Sequence, residues 1–160
     1  MEDFTISTGS IHDIEILTRH RILMWTEIYP ELADIAAASG ETTRDWIKVK
    51  LSEGSMIPFM ARAADGKVAG SGCVLIKEDQ PRPTDKSVYT PYLMSMYTEG
   101  EYRKGEYRKK GVATGIVAAS IKWCREHGHG SITLHASREG RGIYEGFGFN
   151  PTNEMRLSIP

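Results

Sequence analysis

Two apolar runs, Ile57–Ala64 and Val68–Ile76, are joined through Asp65-Gly66, and this pair constrains the fold more than any other feature of the chain. Asp-Gly readily takes the positive-φ conformations of a tight hairpin turn, so the two runs are expected side by side as antiparallel strands. A lone hairpin is not stable in water, and the remaining chain must supply further strands and a covering layer. Gly70 and Gly72, inside the second run, mark a place where another backbone or a ligand comes close.

The flanking segments supply those parts. Phe4–Thr8 alternates weakly and predicts a short strand ending at Gly9. Ser10, with Asp13 three residues on, has the pattern of a reciprocal helix cap. Ile11, Ile14, Leu17, Leu23, Met24 and Ile28 then form a helical stripe over about 11–28, ended by Pro30. A second helix is expected near 42–53, capped by Thr42 or Thr43, with Trp46, Ile47 and Leu51 on its buried face. Beyond the hairpin, Val88–Tyr97 predicts a strand, and a helix over about 111–127 gathers Val112, Ile116, Val117, Ile121, Trp123 and Cys124 on one face. Ile132–Ala136 predicts a strand, Gly142–Phe147 a short helix and Glu154–Ile159 a final strand. With 160 residues, 40% of them hydrophobic, the chain is long enough for one domain over 1–160 with its own core. The fold class is α/β (α+β).

Charge narrows the function classes. Lys+Arg number 20 against 21 Asp+Glu, a net charge of −1, which argues against a surface that grips nucleic acid or anionic lipid. No apolar stretch approaches the roughly 18 residues of a membrane span, and MEDFTIST lacks the apolar core of a secretory signal. Cys73 and Cys124 have no CxxC or CxxH neighbour, so they read as buried reduced thiols rather than metal ligands. The expectation is a soluble, cytoplasmic domain without a metal. One stretch departs from the near-neutral average. Residues 99–110 hold five cations (Arg103, Lys104, Arg108, Lys109, Lys110) and three anions (Glu99, Glu101, Glu106), and Gly-Glu-Tyr-Arg-Lys occurs twice in succession, at 100–104 and 105–109. Five residues are too few for a solenoid unit, and the repeat reads as a tandem duplication within one loop. A nucleic-acid module using Arg103–Lys110 with Tyr102 and Tyr107 is weakened by the interleaved glutamates.

Arg108-Lys109-Lys110-Gly111-Val112-Ala113-Thr114 lies between a strand and a helix. A helix start offers unpaired N–H groups and the positive dipole end, and glycine allows a phosphate to come close. The alternative is a solvated basic turn. The pattern Arg-x-x-Gly-x-Ala resembles the acyl-CoA pyrophosphate loop of the GNAT (Gcn5-related N-acetyltransferase) superfamily. A second segment, Leu134 to Phe149, with Ser137, Arg141, Tyr144 and a following Gly-Phe, resembles the superfamily's C-terminal block. The elements also run in GNAT order.

The resemblance implies a mixed, mostly antiparallel sheet flanked by helices, in which a bulged strand (here Val88–Tyr97) splays from its neighbour (Ile132–Ala136). It implies acetyl-CoA as co-substrate and direct acetyl transfer to a primary amine of a small molecule or a protein N-terminus. Backbone groups near Met96 and Tyr97 would hold the pantetheine arm and acetyl carbonyl. Arg108, Lys109, Lys110, Gly111, Val112, Ala113 and Thr114 would hold the pyrophosphate. Tyr144 matches the tyrosine that protonates the departing thiolate, and a phenol with a pKa of about 10 is suited to that role. Ser137 stands where many relatives have an Asn that bonds pantetheine. Arg141 either reaches a CoA phosphate or faces water. Arg21, Trp25 and Glu27, with Tyr29, fall where the acceptor pocket is expected, and a homodimer is common in the superfamily.

Two departures accompany the resemblance. The loop is five residues longer than the pattern needs, and the expectation is that the second repeat copy forms the cradle while the first bulges outward; a helix extended backward through Gly105 is the competing arrangement. The strand Val88–Thr98 also lacks the carboxylate that some members use as general base, leaving ordered water, Glu27 or His135 as candidates. Both departures favour an alternative, a non-catalytic acyl-CoA-binding sensor.

Overall fold

The computed structural model describes residues 4–103 and 111–160. In chain order the elements are β1 (Phe4–Thr8), α1 (Ile14–Ile28), α2 (Ala33–Ala38), α3 (Gly40–Ser52), β2 (Met56–Ala63), β3 (Val68–Glu78), β4 (Tyr89–Thr98), α4 (Val112–Glu126), β5 (Thr133–Leu134) and α5 (Arg141–Gly146). Short 3-10 turns at Ile11–Asp13, Pro30–Leu32 and Gly100–Arg103 join some of them. The hairpin β2–β3 holds the middle of one five-stranded sheet of order β1-β2-β3-β4-β5. Neighbours are antiparallel except β4 and β5, which run parallel.

Alternating residues of β2, β3 and β4 face two separate helical layers. On one side α4 buries Val112, Ile116 and Val117 against Phe59, Val74 and Leu93. On the other, Leu17 from α1 and Ile47 from α3 pack on Met56, Met60 and Cys73. The entry to α1 follows the expected reciprocal cap. Asp13 Oδ2 accepts from Ser10 N–H at 2.8 Å, and Ser10 Oγ accepts from His12 N–H at 3.2 Å. Asp13 is further fixed by Arg62, whose Nη2 donates to Oδ1 at 2.7 Å and ties the helix entry to β2. Among the described residues, no helix is long and apolar enough to cross a membrane.

The central distortion lies in β4. Ser71 pairs with Tyr97 and Cys73 with Met94, so two β4 residues, Ser95 and Met96, oppose the single residue Gly72. This is a β-bulge. Ser95 carries it in the left-handed region at φ 55°, and among the described residues it is the one non-glycine there. The extra residue turns Ser95 toward α1, where Arg21 meets it, and leaves Met96 on the α4 side. Gly72 makes the close approach possible: a Cβ there would run into the Met96 sulfur and lie 2.9 Å from Ile116 Cγ2.

Several expectations need correction. Glu154–Ile159 is not a strand; 151–160 has no regular structure and is exposed throughout, Met155 at 95%. An alternating pattern forms a strand only beside an edge with ladder positions to offer, and β5 has just two residues, fewer than the expected Ile132–Ala136. α2 was not expected, since six residues with three alanines in a row carry no readable period. α3 begins at Gly40, ahead of Thr42 and Thr43, and has no side-chain cap; Ser39 Oγ turns back to donate to Ala36 O at 2.7 Å. Trp46 is 40% exposed rather than buried. Of the first repeat copy, the described residues Gly100–Arg103 form a 3-10 turn rather than an outward bulge: Tyr102 is buried edge-to-face on Phe4, with ring centroids 5.5 Å apart. Burial of that ring draws Gly100–Arg103 onto the sheet. The second copy, with Arg108, Lys109 and Lys110, lies outside the described residues.

Candidate active site

β4 pairs with β5 only through Tyr92–Thr133 and Leu93–Leu134. Past Leu93 the two strands have no further paired residues, and the β4 edge from Met94 onward has no strand partner among the described residues. Unpaired backbone N–H and C=O groups on such an edge suit an extended ligand carrying amides of its own.

A cleft of about 620 Å³ opens along this edge. Its walls are Met24, Glu27 and Ile28 of α1, Met96–Thr98 of β4, Gly111–Thr114 at the start of α4, and Ser137, Gly140 and Tyr144 around α5. Gly111, at φ 72°, precedes α4 without any side-chain cap, so the first-turn N–H groups are left for an anion at the cleft mouth. On the far side of Met96 lies a second cavity of about 370 Å³, lined by Arg21 and Trp25 of α1, Tyr29 just after it, Tyr92 and Ser95 of β4, and His135 and Arg156. The two cavities share Met24, Ile28, Met96, Ser137 and Tyr144. They meet end to end at the bulge.

Tyr144 stands at that junction. It is 9% exposed, and burial pushes its phenol pKa up, so it holds its proton at neutral pH. Among the described residues none hydrogen-bonds its hydroxyl. Gly140 lets the ring lie flat, since a Cβ there would come within 3.1 Å of a ring carbon. Ser137 Oγ accepts from Gly140 N–H at 3.1 Å, which fixes the entry to α5 and leaves the Ser137 proton for a ligand.

The sequence candidates therefore divide. Met96, Tyr97, Gly111, Val112, Ala113, Thr114, Ser137 and Tyr144 come together in the larger cleft. Arg21 and Trp25 line the smaller cavity. Glu27 faces the larger cleft instead, where Tyr97 Oη donates to its Oε1 at 2.9 Å and Arg103 pairs with Oε2. Both carboxylate oxygens are engaged. Arg141 turns away from the cleft, with Nε donating to Glu145 at 2.6 Å. Tyr92 and Arg156 were missed. Tyr92 reads as an ordinary strand residue, and Arg156 lies in the tail that the alternation had marked as a strand.

Two acid–histidine–hydroxyl chains flank the cavities. In the first, His20 Nε2 donates to Glu99 Oε1 at 3.0 Å and its Nδ1 accepts from Ser71 Oγ at 2.7 Å; the carboxylate fixes this tautomer. Arg19 pairs with the same Glu99 and holds its carboxyl pKa below the ordinary value. His20 is fully buried, and burial keeps its pKa below 6.5 despite Glu99. In the second, Tyr92 Oη donates to His135 Nδ1 at 2.7 Å, and His135 Nε2 donates to Glu154, which Arg156 Nη2 also engages at 3.1 Å. This chain opens into the smaller cavity.

The family profile described as "Acetyltransferase (GNAT) family" matches residues 14–149, most of the chain. The chain belongs to the GNAT acetyltransferase family. As a GNAT acetyltransferase it carries out acetyl-CoA-dependent acetyl transfer in the general sense. No curated protein matches it in sequence. Among solved structures it is similar to a GCN5-related N-acetyltransferase from Ralstonia eutropha (24% identity, 98% of each chain covered, TM-score 0.87). It is also similar to a predicted acetyltransferase with acetyl-CoA from Clostridium acetobutylicum (21% identity, 98% and 96% covered, TM-score 0.81). A third is glucosamine-6-phosphate N-acetyltransferase from Arabidopsis thaliana (17% identity, 98% and 97% covered, TM-score 0.65). At these identities the likeness bears on the fold alone.

Proposed function

We propose that this GNAT enzyme, working in the cytoplasm, transfers acetyl directly to a primary amine of a small molecule or peptide, with the cofactor in the larger cleft and the acceptor in the smaller cavity. The observation that carries this reading is the meeting of the two cavities at Met96 and Tyr144. The larger cleft fits acetyl-CoA: an uncapped helix start for the pyrophosphate, an unpaired strand edge for the pantetheine amides, and Ser137 beside it. When bound, acetyl-CoA supplies an acetyl group activated as a thioester.

The chain's own residues then have separable tasks. Backbone N–H groups at the bulge, near Met96 and Tyr97, polarise a carbonyl placed against them. Tyr144 Oη holds the proton that the leaving sulfur takes up. On the acceptor side, Tyr92 takes a proton from the amine as its own passes to His135 Nδ1, and Glu154 stabilises the resulting imidazolium. His135 fits this role better than Glu27, whose oxygens are both occupied in the other cleft. Neither cysteine is needed as a nucleophile: burial pushes Cys73 up to about 12 and Cys124 up to about 11, keeping both protonated.

Titration calorimetry with acetyl-CoA, followed by an amine panel, tests the proposal. Binding with acetyl transfer to at least one amine is expected. Absence of binding at millimolar ligand overturns it, and binding without transfer to any amine identifies the sensor instead.

A further inference from the structure

The acceptor cavity has an electrostatic peculiarity. Arg19, Arg44, Arg62, Arg103, Arg141 and Arg156 each pair with a carboxylate. Arg21 is half-buried, yet among the described residues it pairs with none. Its neighbours are the Trp25 ring, 5.2 Å from the guanidinium carbon, and Ser95 Oγ, 3.5 Å from Nη1. A partly desolvated guanidinium with open donors is costly unless an anion completes it.

Its position is informative. Arg21 lines both the acceptor cavity and a neighbouring apolar groove of about 380 Å³ bounded by Leu17, Trp46, Ile47 and Leu75. No Asp or Glu lines either space among the described residues, whereas Arg21, Arg156 and Lys77 do. A polycationic amine would find no lining carboxylate for its remaining ammonium groups, since Glu154, behind His135, is already engaged by His135 and Arg156. An acid group near the amine would find Arg21, beside the bulge residue that precedes Met96. The stacked Trp25–Tyr29 pair and the groove beyond Arg21 offer apolar surface for the rest of the molecule.

Building on the transfer reading above, we propose that the acceptor is an anionic amine: a primary amine with a carboxylate or phosphate a few bonds away and an apolar body, its acid group held by Arg21. An amino acid with a large apolar side chain has this form. Arg21 is thus a specificity residue, making no contact with the reacting atoms.

The test uses acetylated products, so that it does not depend on turnover. Calorimetry on the full chain, with and without CoA, compares N-acetyl-L-phenylalanine with N-acetyl-L-phenylalaninamide, and N-acetylglucosamine 6-phosphate with N-acetylglucosamine. The acid member of at least one pair is expected to bind about tenfold or more tightly than its uncharged match. Which pair shows the preference separates carboxylate from phosphate. Arg21→Gln is expected to abolish the preference and Arg21→Lys to keep part of it, with CoA affinity unchanged in both as the measure of folding. Equal binding within both pairs, tighter binding of spermidine than of any acid, or an equal loss for both members in Arg21→Gln overturns the proposal. A wild-type chain that binds no acetyl-CoA but still prefers acids through Arg21 would overturn the transfer reading and leave the anion site standing.

Discussion

Glu99–His20–Ser71 and Glu154–His135–Tyr92 are built from the same chemical parts: a carboxylate held by an arginine, an imidazole in a fixed tautomer, and a hydroxyl on the other nitrogen. Their surroundings make them opposites. His20 and Ser71 are sealed between α1 and β3, Ser71 at 1% exposure, and no cavity described above reaches either. His135 and Tyr92 line the smaller cavity, which Met96 and Tyr144 also bound. An acid–histidine–hydroxyl chain therefore has no function written into its composition. Sealed, it satisfies polar groups and fixes how α1 lies on the sheet; opened to a ligand, it can move a proton.

Substitutions can break that contrast. His20→Ala should lower the unfolding free energy by about 3–5 kcal/mol, because Glu99 and Ser71 lose their buried partner and a cavity remains. Urea denaturation measures this, and a loss below about 1 kcal/mol would remove the structural role. Tyr144→Phe, which leaves both chains intact, should lower kcat roughly hundredfold with acetyl-CoA affinity unchanged. Parallel loss of both would make Tyr144 a binding or packing residue. His135→Gln and Tyr92→Phe should each lower kcat roughly tenfold while shifting stability by less than about 0.5 kcal/mol, and the double variant should lose little more than either single one. Additive losses would separate the two residues into independent roles.

The smallest effect sharpens the contrast through pH. His20 is depressed in the folded state, so below about pH 6.5 the unfolded chain binds the proton first, and stability falls with acidification by up to about 1.4 kcal/mol per pH unit. Glu99, also depressed, adds a loss in the same direction as pH falls below about 4.5. Urea midpoints from pH 7 to 5 should decline in the wild type and flatten in His20→Asn. A decline that persists in His20→Asn would assign it to other groups.

Local signals made much of this molecule legible. The Asp65-Gly66 turn, the Ser10–Asp13 cap and the stripe of α4 are each decided within a few residues of one another, and each is present. The resemblance implied the bulged strand and the splayed pair, which the sheet has, and it put Tyr144 forward as a candidate. Illegible were the pairings that only folding creates: His20 with Glu99 is 79 residues apart, and His135 with Glu154 is 19. No period or spacing encodes such contacts. For the same reason the glutamate at the end of α1 was expected on the acceptor side, when Tyr97 and Arg103 draw it into the other cleft. The last strand failed because its pattern is local while its partner is not.

Gly72 carries a consequence that reaches past its own strand. The divide between the two cavities is drawn by Met96, yet Met96 stands where it does because the residue opposite has only a hydrogen atom for a side chain. The boundary between the larger cleft and the smaller cavity is thus stored one strand away, in a position that lines neither. Changes to the cavity walls alter what each space can hold, whereas a side chain at 72 would redraw the boundary itself.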